Sequence, residues 1–153
     1  MPKRSKEDTE VTIQKIMDAV VDQLIRLGYD KMSYTSLSRQ TGISRTGISH
    51  HFPKKTDFAS SLDDRIFNTL VSHLDFSDSV DTFAASWQKA LSNAEFIALI
   101  RLIFHHMVSS DRGHHFGQAT LNRLSETVTN QYGEASVGRF KCLLGESLLA
   151  MGV

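Results

Sequence analysis

Leu37-Ser38-Arg39-Gln40-Thr41-Gly42-Ile43-Ser44-Arg45-Thr46-Gly47-Ile48-Ser49-His50-His51 is the stretch whose reading decides the fold. Ser33, just ahead of it, is a good helix N-cap, because a side-chain oxygen there accepts one of the backbone N–H groups that a helix start leaves without a partner. Leu37 supplies an apolar anchor, and Thr41-Gly42-Ile43-Ser44 breaks the pattern. Gly42 tolerates the positive φ of a tight turn, and Ser44 caps the second of two short helices. The spacing predicts the first of these over 34–40, a turn at Gly42 and the second over 45–51, ended by Phe52-Pro53. Ile43 and Ile48 read as the anchors beneath that second helix, leaving Arg45, Thr46, Ser49 and His50 to face outward. Gly47 inside it costs about 1 kcal/mol relative to Ala and lets the backbone approach a partner closely.

Upstream, Ile13, Ile16, Met17, Val20, Val21, Leu24 and Leu27 step by three or four residues, the period of one helix face, and Gly28 closes that helix. Downstream, Thr56-Asp57 open a long helix to about 74, with Phe58, Leu62, Ile66 and Leu70 at spacing four. Asp75-Phe76-Ser77-Asp78-Ser79 reads as a break, and helices are expected at 80–91, 94–109, 115–131 and 135–151. Asp78, Asn93, Arg112-Gly113 and Gly133 mark their boundaries. The fold predicted is all-α: an N-terminal three-helix head with a helix-turn-helix over 1–55, then a helical body over 56–153. There is no internal repeat.

Composition narrows the function classes. A chain of 153 residues with two prolines suits one helical domain or a small head fused to a body. The formal net charge is zero, yet residues 1–58 carry 10 basic against 7 acidic groups and residues 59–153 carry 7 against 10. The positive excess therefore lies beside the motif. The lone Cys142 excludes an internal disulfide and suits a reducing interior. No apolar run approaches the roughly 20 residues of a membrane span. Met1-Pro2-Lys3-Arg4-Ser5-Lys6 lacks the apolar stretch of a signal peptide and reads as a flexible basic arm, so a cytoplasmic protein is expected.

Two short helices joined by a Gly turn hold the second as a projecting rod, and the major groove of duplex DNA is about as wide as an α-helix. Arg45, Thr46, Ser49 and His50 carry donors suited to bases and phosphates. The run from Ile16 to Phe58 resembles the TetR/AcrR-type transcriptional regulators in one register. The matching pieces are Ile16-Met17-Asp18-Ala19-Val20, Leu27-Gly28-Tyr29-Asp30, Leu37 through Ser44, and Ile48-Ser49-His50-His51-Phe52-Pro53-Lys54-Lys55. The resemblance implies that Ser44 caps the recognition helix and touches a phosphate, and that Arg45 and Thr46 meet bases or backbone. It further implies that Lys55 binds phosphate at the positive end of the long helix, and that Thr35 is a base or phosphate contact. Phe52 is read as core. The sequence departs from the family pattern at Thr46-Gly47-Ile48-Ser49, where the usual order ends in Tyr. Ser49 or His50 must replace that aromatic phosphate contact.

The same resemblance makes the body an effector-binding and dimerisation domain. Phe83, Trp87, Phe96, Ile100, Phe104 and Met107 form an aromatic-rich stripe, which is either packed core or cavity wall; Trp87, Arg101 and His105 are the expected lining for an unknown small-molecule effector. Val137, Phe140, Leu144 and Leu148 share a face near Gly138 and Gly145, suited to a second copy. The chain stops at Val153, roughly one helix short of typical relatives, so a homodimer would rest on the 115–131 and 135–151 helices. Asp63, Asp64 and Arg65 read as an exposed turn, and Cys142 as a buried, inert thiol. His105-His106 and His114-His115 are adjacent pairs whose side chains point about 100° apart on a helix, which does not suit one metal ion; surface or pocket-lining roles are expected, with no metal and no cofactor. The function predicted is a ligand-responsive repressor that binds a palindromic operator in double-stranded DNA as a dimer. The alternative is a helical protein-interaction module with weak, non-specific DNA binding. No catalytic constellation is present, so no enzyme is expected.

Overall fold

The computed structural model describes residues 6–108 and 116–152. All regular structure among them is helical: α1 (Lys6–Arg26), α2 (Tyr34–Thr41), α3 (Arg45–His51), α4 (Lys55–Ser72), α5 (Val80–Ala90), α6 (Ala94–Val108), α7 (Phe116–Tyr132) and α8 (Val137–Met151), with a 3₁₀ turn at Glu134–Ser136 before α8. Two compact units emerge, residues 1–62 and 63–153, and the chain passes from one to the other within α4.

The predicted helices are found with ends shifted by a few residues, except the first. α1 starts at Lys6, about two turns before its apolar stripe. Residues 6–12 have no helical apolar period, but Glu7 and Asp8 sit where the helix N-terminus favours negative charge, and the Thr12 hydroxyl donates to the Asp8 carbonyl at 2.9 Å. Lys6 is therefore helical; the rest of the expected arm lies outside the described residues.

In the N-terminal unit, Ile16, Val20 and Leu24 of α1, Met32, Leu37, Ile48, Phe52, Phe58 and Leu62 are buried together as one core. Each such side chain contributes roughly 1.5–3 kcal/mol on leaving water. Phe58 of α4 packs its ring 4.9 Å from Phe52 and 5.5 Å from Tyr34. Buried Gln23 is the polar member of this core. Its amide donates to Gln40 Oε1 at 2.8 Å and to the Ser36 carbonyl at 3.1 Å, and it accepts from Ser36 Oγ at 2.6 Å. That network ties α1 to α2 at a depth where an unmet amide would cost about 1–3 kcal/mol.

The C-terminal unit is built round Trp87, which is fully buried, with Phe96, Phe140 and Phe83 edge-on at 5.1, 5.8 and 6.2 Å. Its indole N–H donates to Ser147 Oγ at 2.7 Å, joining α5 to α8. α6 and α7 approach closely at Gly117, where a Cβ would lie 2.8 Å from the Ile103 carbonyl oxygen. Asp63, expected as part of an exposed turn, is half-buried instead. It accepts from Thr120 Oγ1 at 2.8 Å and Arg123 at 3.3 Å, because side chains of α7 reach across to it; Arg123 also reaches Asp64 and lies over the Phe67 ring at 4.0 Å.

Candidate nucleic-acid interface

Local chemistry builds the helix-turn-helix as the sequence predicts. Ser33 caps α2 in a reciprocal capping box with Ser36. Gly42 takes φ 74° in the left-handed region and its N–H closes on the Ser38 carbonyl at 2.9 Å. Buried Thr41 fastens the turn on both sides: its hydroxyl donates to the Leu37 carbonyl at 2.8 Å and accepts from the Ile43 N–H at 3.1 Å. Ser44 Oγ then accepts from the Gly47 N–H at 3.0 Å and starts α3. Ile48 is the buried anchor beneath α3, whereas Ile43, expected to share that role, is only half-buried. At the far end the Tyr34 hydroxyl donates to the Phe52 carbonyl at 2.6 Å, pinning the C-terminus of α3 to the start of α2.

Around that anchor the expected contact residues separate by exposure. Thr35, Ser44, Arg45, Thr46 and His50 are exposed. Ser49 is half-buried and its hydroxyl turns back to the Thr46 carbonyl at 3.1 Å. Lys55 opens α4 with its ammonium 4.2 Å from the centre of the Tyr29 ring, a cation–π contact that aims it. Exposed Lys54 precedes it, its N–H held by Asp57 Oδ2 at 2.9 Å. Gly47 has an internal reason besides close approach: a Cβ there would lie 3.0 Å from Ile43 Cγ2 and 3.2 Å from the capping Ser44 Oγ. The residues sequence reasoning missed are Gln23, Thr41 and Tyr34, which place α3 without touching its outer face. Their signal, polar side chains at helix-face positions, looks in the sequence like ordinary solvated surface.

Beside the α1–α2 network, the Arg26 guanidinium hydrogen-bonds Asp22 at 3.0 Å and holds its carboxyl below the usual carboxylate range; Gln40 adds a second donor.

In the C-terminal unit, Trp87 is sealed in the core while Arg101 and His105 are exposed, so these three do not form one lining. An open pocket of about 400 Å³ lies elsewhere, between the end of α4 and the α5–α6 turn, lined by His73, Ser86, Lys89 and Asn93. His73 Nε2 stands 2.9 Å from Glu95 Oε1 beside it. His106 is buried, and His114 and His115 lie outside the described residues. Among the described residues no group of His, Cys, Asp and Glu is placed to hold a metal, and no helix is long and apolar enough to cross a membrane. Cys142 is exposed, contrary to its sequence reading. The inward face of α8 runs through Phe140, Leu143 and Ser147, which turns Cys142 outward and leaves Leu148 and Leu149 in solvent at 59% and 77%.

Residues 63–151 match the family model described as the tetracycline repressor LuxT C-terminal domain. No curated protein matches the chain.

Proposed function

The chain belongs to the tetracycline-repressor (TetR) type of transcriptional regulators, and from that membership we propose that it binds an inverted-repeat operator in duplex DNA as a homodimer. The observation that carries this reading is α3 itself, anchored from below by Ile48 while Arg45, Thr46 and His50 stand exposed on its outer side. A helix held so can present its N-terminal side chains to base edges in the major groove. Lys55, aimed by Tyr29 at the start of α4, supplies a phosphate clamp, and the exposed Ser44 and Thr35 are further contacts. The head is then built on residues 1–55, with Phe58 and Leu62 of α4 completing its core, and the rest of the chain is the body. By the same family reading, a small molecule held by the body releases the operator by favouring a form whose heads do not fit the repeat.

Selection of bound sequences from random duplex DNA tests the proposal. An enriched inverted repeat supports both the reading head and the pairing. Uniform, weak, strongly salt-dependent binding overturns it in favour of a helical interaction module; Ser49, folded back on its own helix where the family has an aromatic contact, is the observation on that side. With the enriched duplex in hand, Arg45→Ala should relax preference at one position, by about 1–3 kcal/mol, whereas Lys55→Ala should weaken all sequences alike.

A further inference from the structure

The extra N-terminal turns of α1 form one wall of an open groove of about 830 Å³ in the N-terminal unit. Thr9, Thr12 and Lys15 line that wall, and Thr46, His50 and His51 of α3 line the one facing it. None of the described lining residues is acidic. Three carboxylates of α1 sit on the next strip round the helix, where Glu7, Glu10 and Asp18 share a surface with Val11 and Lys15. Lys15 thus stands on the ridge between an acidic strip and a groove that holds hydroxyls, imidazoles and its own ammonium.

We infer that this groove seats a sugar-phosphate strand of the duplex and that Lys15 is its phosphate contact from α1. The inference rests on the DNA-binding reading and adds a contact to it. With α3 in the major groove, a bordering backbone strand must pass one flank of the helix, and this flank offers the Lys15 ammonium and the imidazoles of α3, with no carboxylate among its described lining residues. The strip behind Lys15 repels phosphate, so the field selects the groove side. A lysine suits the role because its ammonium is a point charge on a flexible stem and needs no fixed geometry. Such a contact carries register and affinity, not base identity.

The test measures binding of the full chain to the selected duplex and to a scrambled one over a series of salt concentrations. Lys15→Gln is expected to weaken both duplexes by the same factor and to lower the slope of log affinity against log salt by about 1, since one fewer phosphate contact releases one fewer counterion. Lys15→Met, which keeps an apolar helix-forming stem, must repeat that loss, and Lys15→Arg must restore the slope. An unchanged slope in both neutral variants overturns the inference, as does a loss confined to the selected duplex. Failure of the unsubstituted chain to bind either duplex overturns the DNA reading itself, a result visible before any variant is made.

Discussion

At the scale of single residues, Gly42 and Gly47 look alike in sequence and are needed for different reasons. Gly42 has φ 74° and nothing within 4 Å of where a Cβ would be, so its requirement is purely conformational. Gly42→Ala should lose about 1–2 kcal/mol, the strain of an L-residue in the left-handed region, read as a lower midpoint in urea unfolding with an unchanged slope. Gly47 has ordinary helical geometry and is crowded by Ile43 and the capping Ser44 oxygen, so packing and cap constrain it. Asp22 carries a pH signature. Its carboxyl is held down first by the hydrogen bond from Arg26, so the folded form binds its proton less readily than the unfolded chain. That contribution is present above the ordinary carboxylate value of 3.8 and disappears as pH falls through the lowered one. Asp22→Asn should therefore flatten the acid limb of a stability-against-pH curve. A limb unchanged by the substitution would remove Asp22 from the account of acid sensitivity.

At the scale of elements, helix faces were legible only where an apolar period ran without competition. The stripe of α1 from Ile16 to Leu24 points into the core as its spacing predicts. α8 does not follow its apolar count. Phe140, Leu143 and Ser147 face inward and Leu148 outward, because the indole of Trp87 requires an acceptor and Ser147 provides it. Ser147→Ala leaves that buried N–H without a partner and should cost about 1–3 kcal/mol. The expected readout is a lower thermal midpoint together with a shifted Trp87 fluorescence maximum. A stability within a few tenths of a kcal/mol of the parent would mean that a repacked neighbour can replace the bond.

At the scale of the whole molecule, the proposed pairing of two copies draws on the outer side of α8. Leu148 and Leu149 are exposed there, and a Cβ added at Gly138 or Gly145 would meet nothing within 4 Å, so another helix can approach without obstruction. A symmetric dimer uses the same patch twice, which doubles the effect of a charge placed in it. The double substitution Leu148→Glu with Leu149→Glu should convert a dimer to a monomer in sedimentation velocity, with helical content retained and operator affinity sharply reduced. A parent chain that sediments as a monomer with full operator affinity would contradict the pairing.

Sequence by itself determined the all-helical class, the placement of most helices and the helix-turn-helix, because each depends on neighbours in the chain: a cap three residues from its donor, a glycine at the turn, a stripe of period 3.6. Tertiary structure alone decided which polar residues became fasteners. Gln23, Thr41, Tyr34, Asp63 and Ser147 hold one element to another or to its turn, and each meets its partner only after distant segments or successive turns have folded together. It likewise decided that α1 begins at Lys6 and that Cys142 faces outward. The reason is physical: periodicity records how much of a helix must be covered, whereas the angle at which it is covered depends on what packs against it.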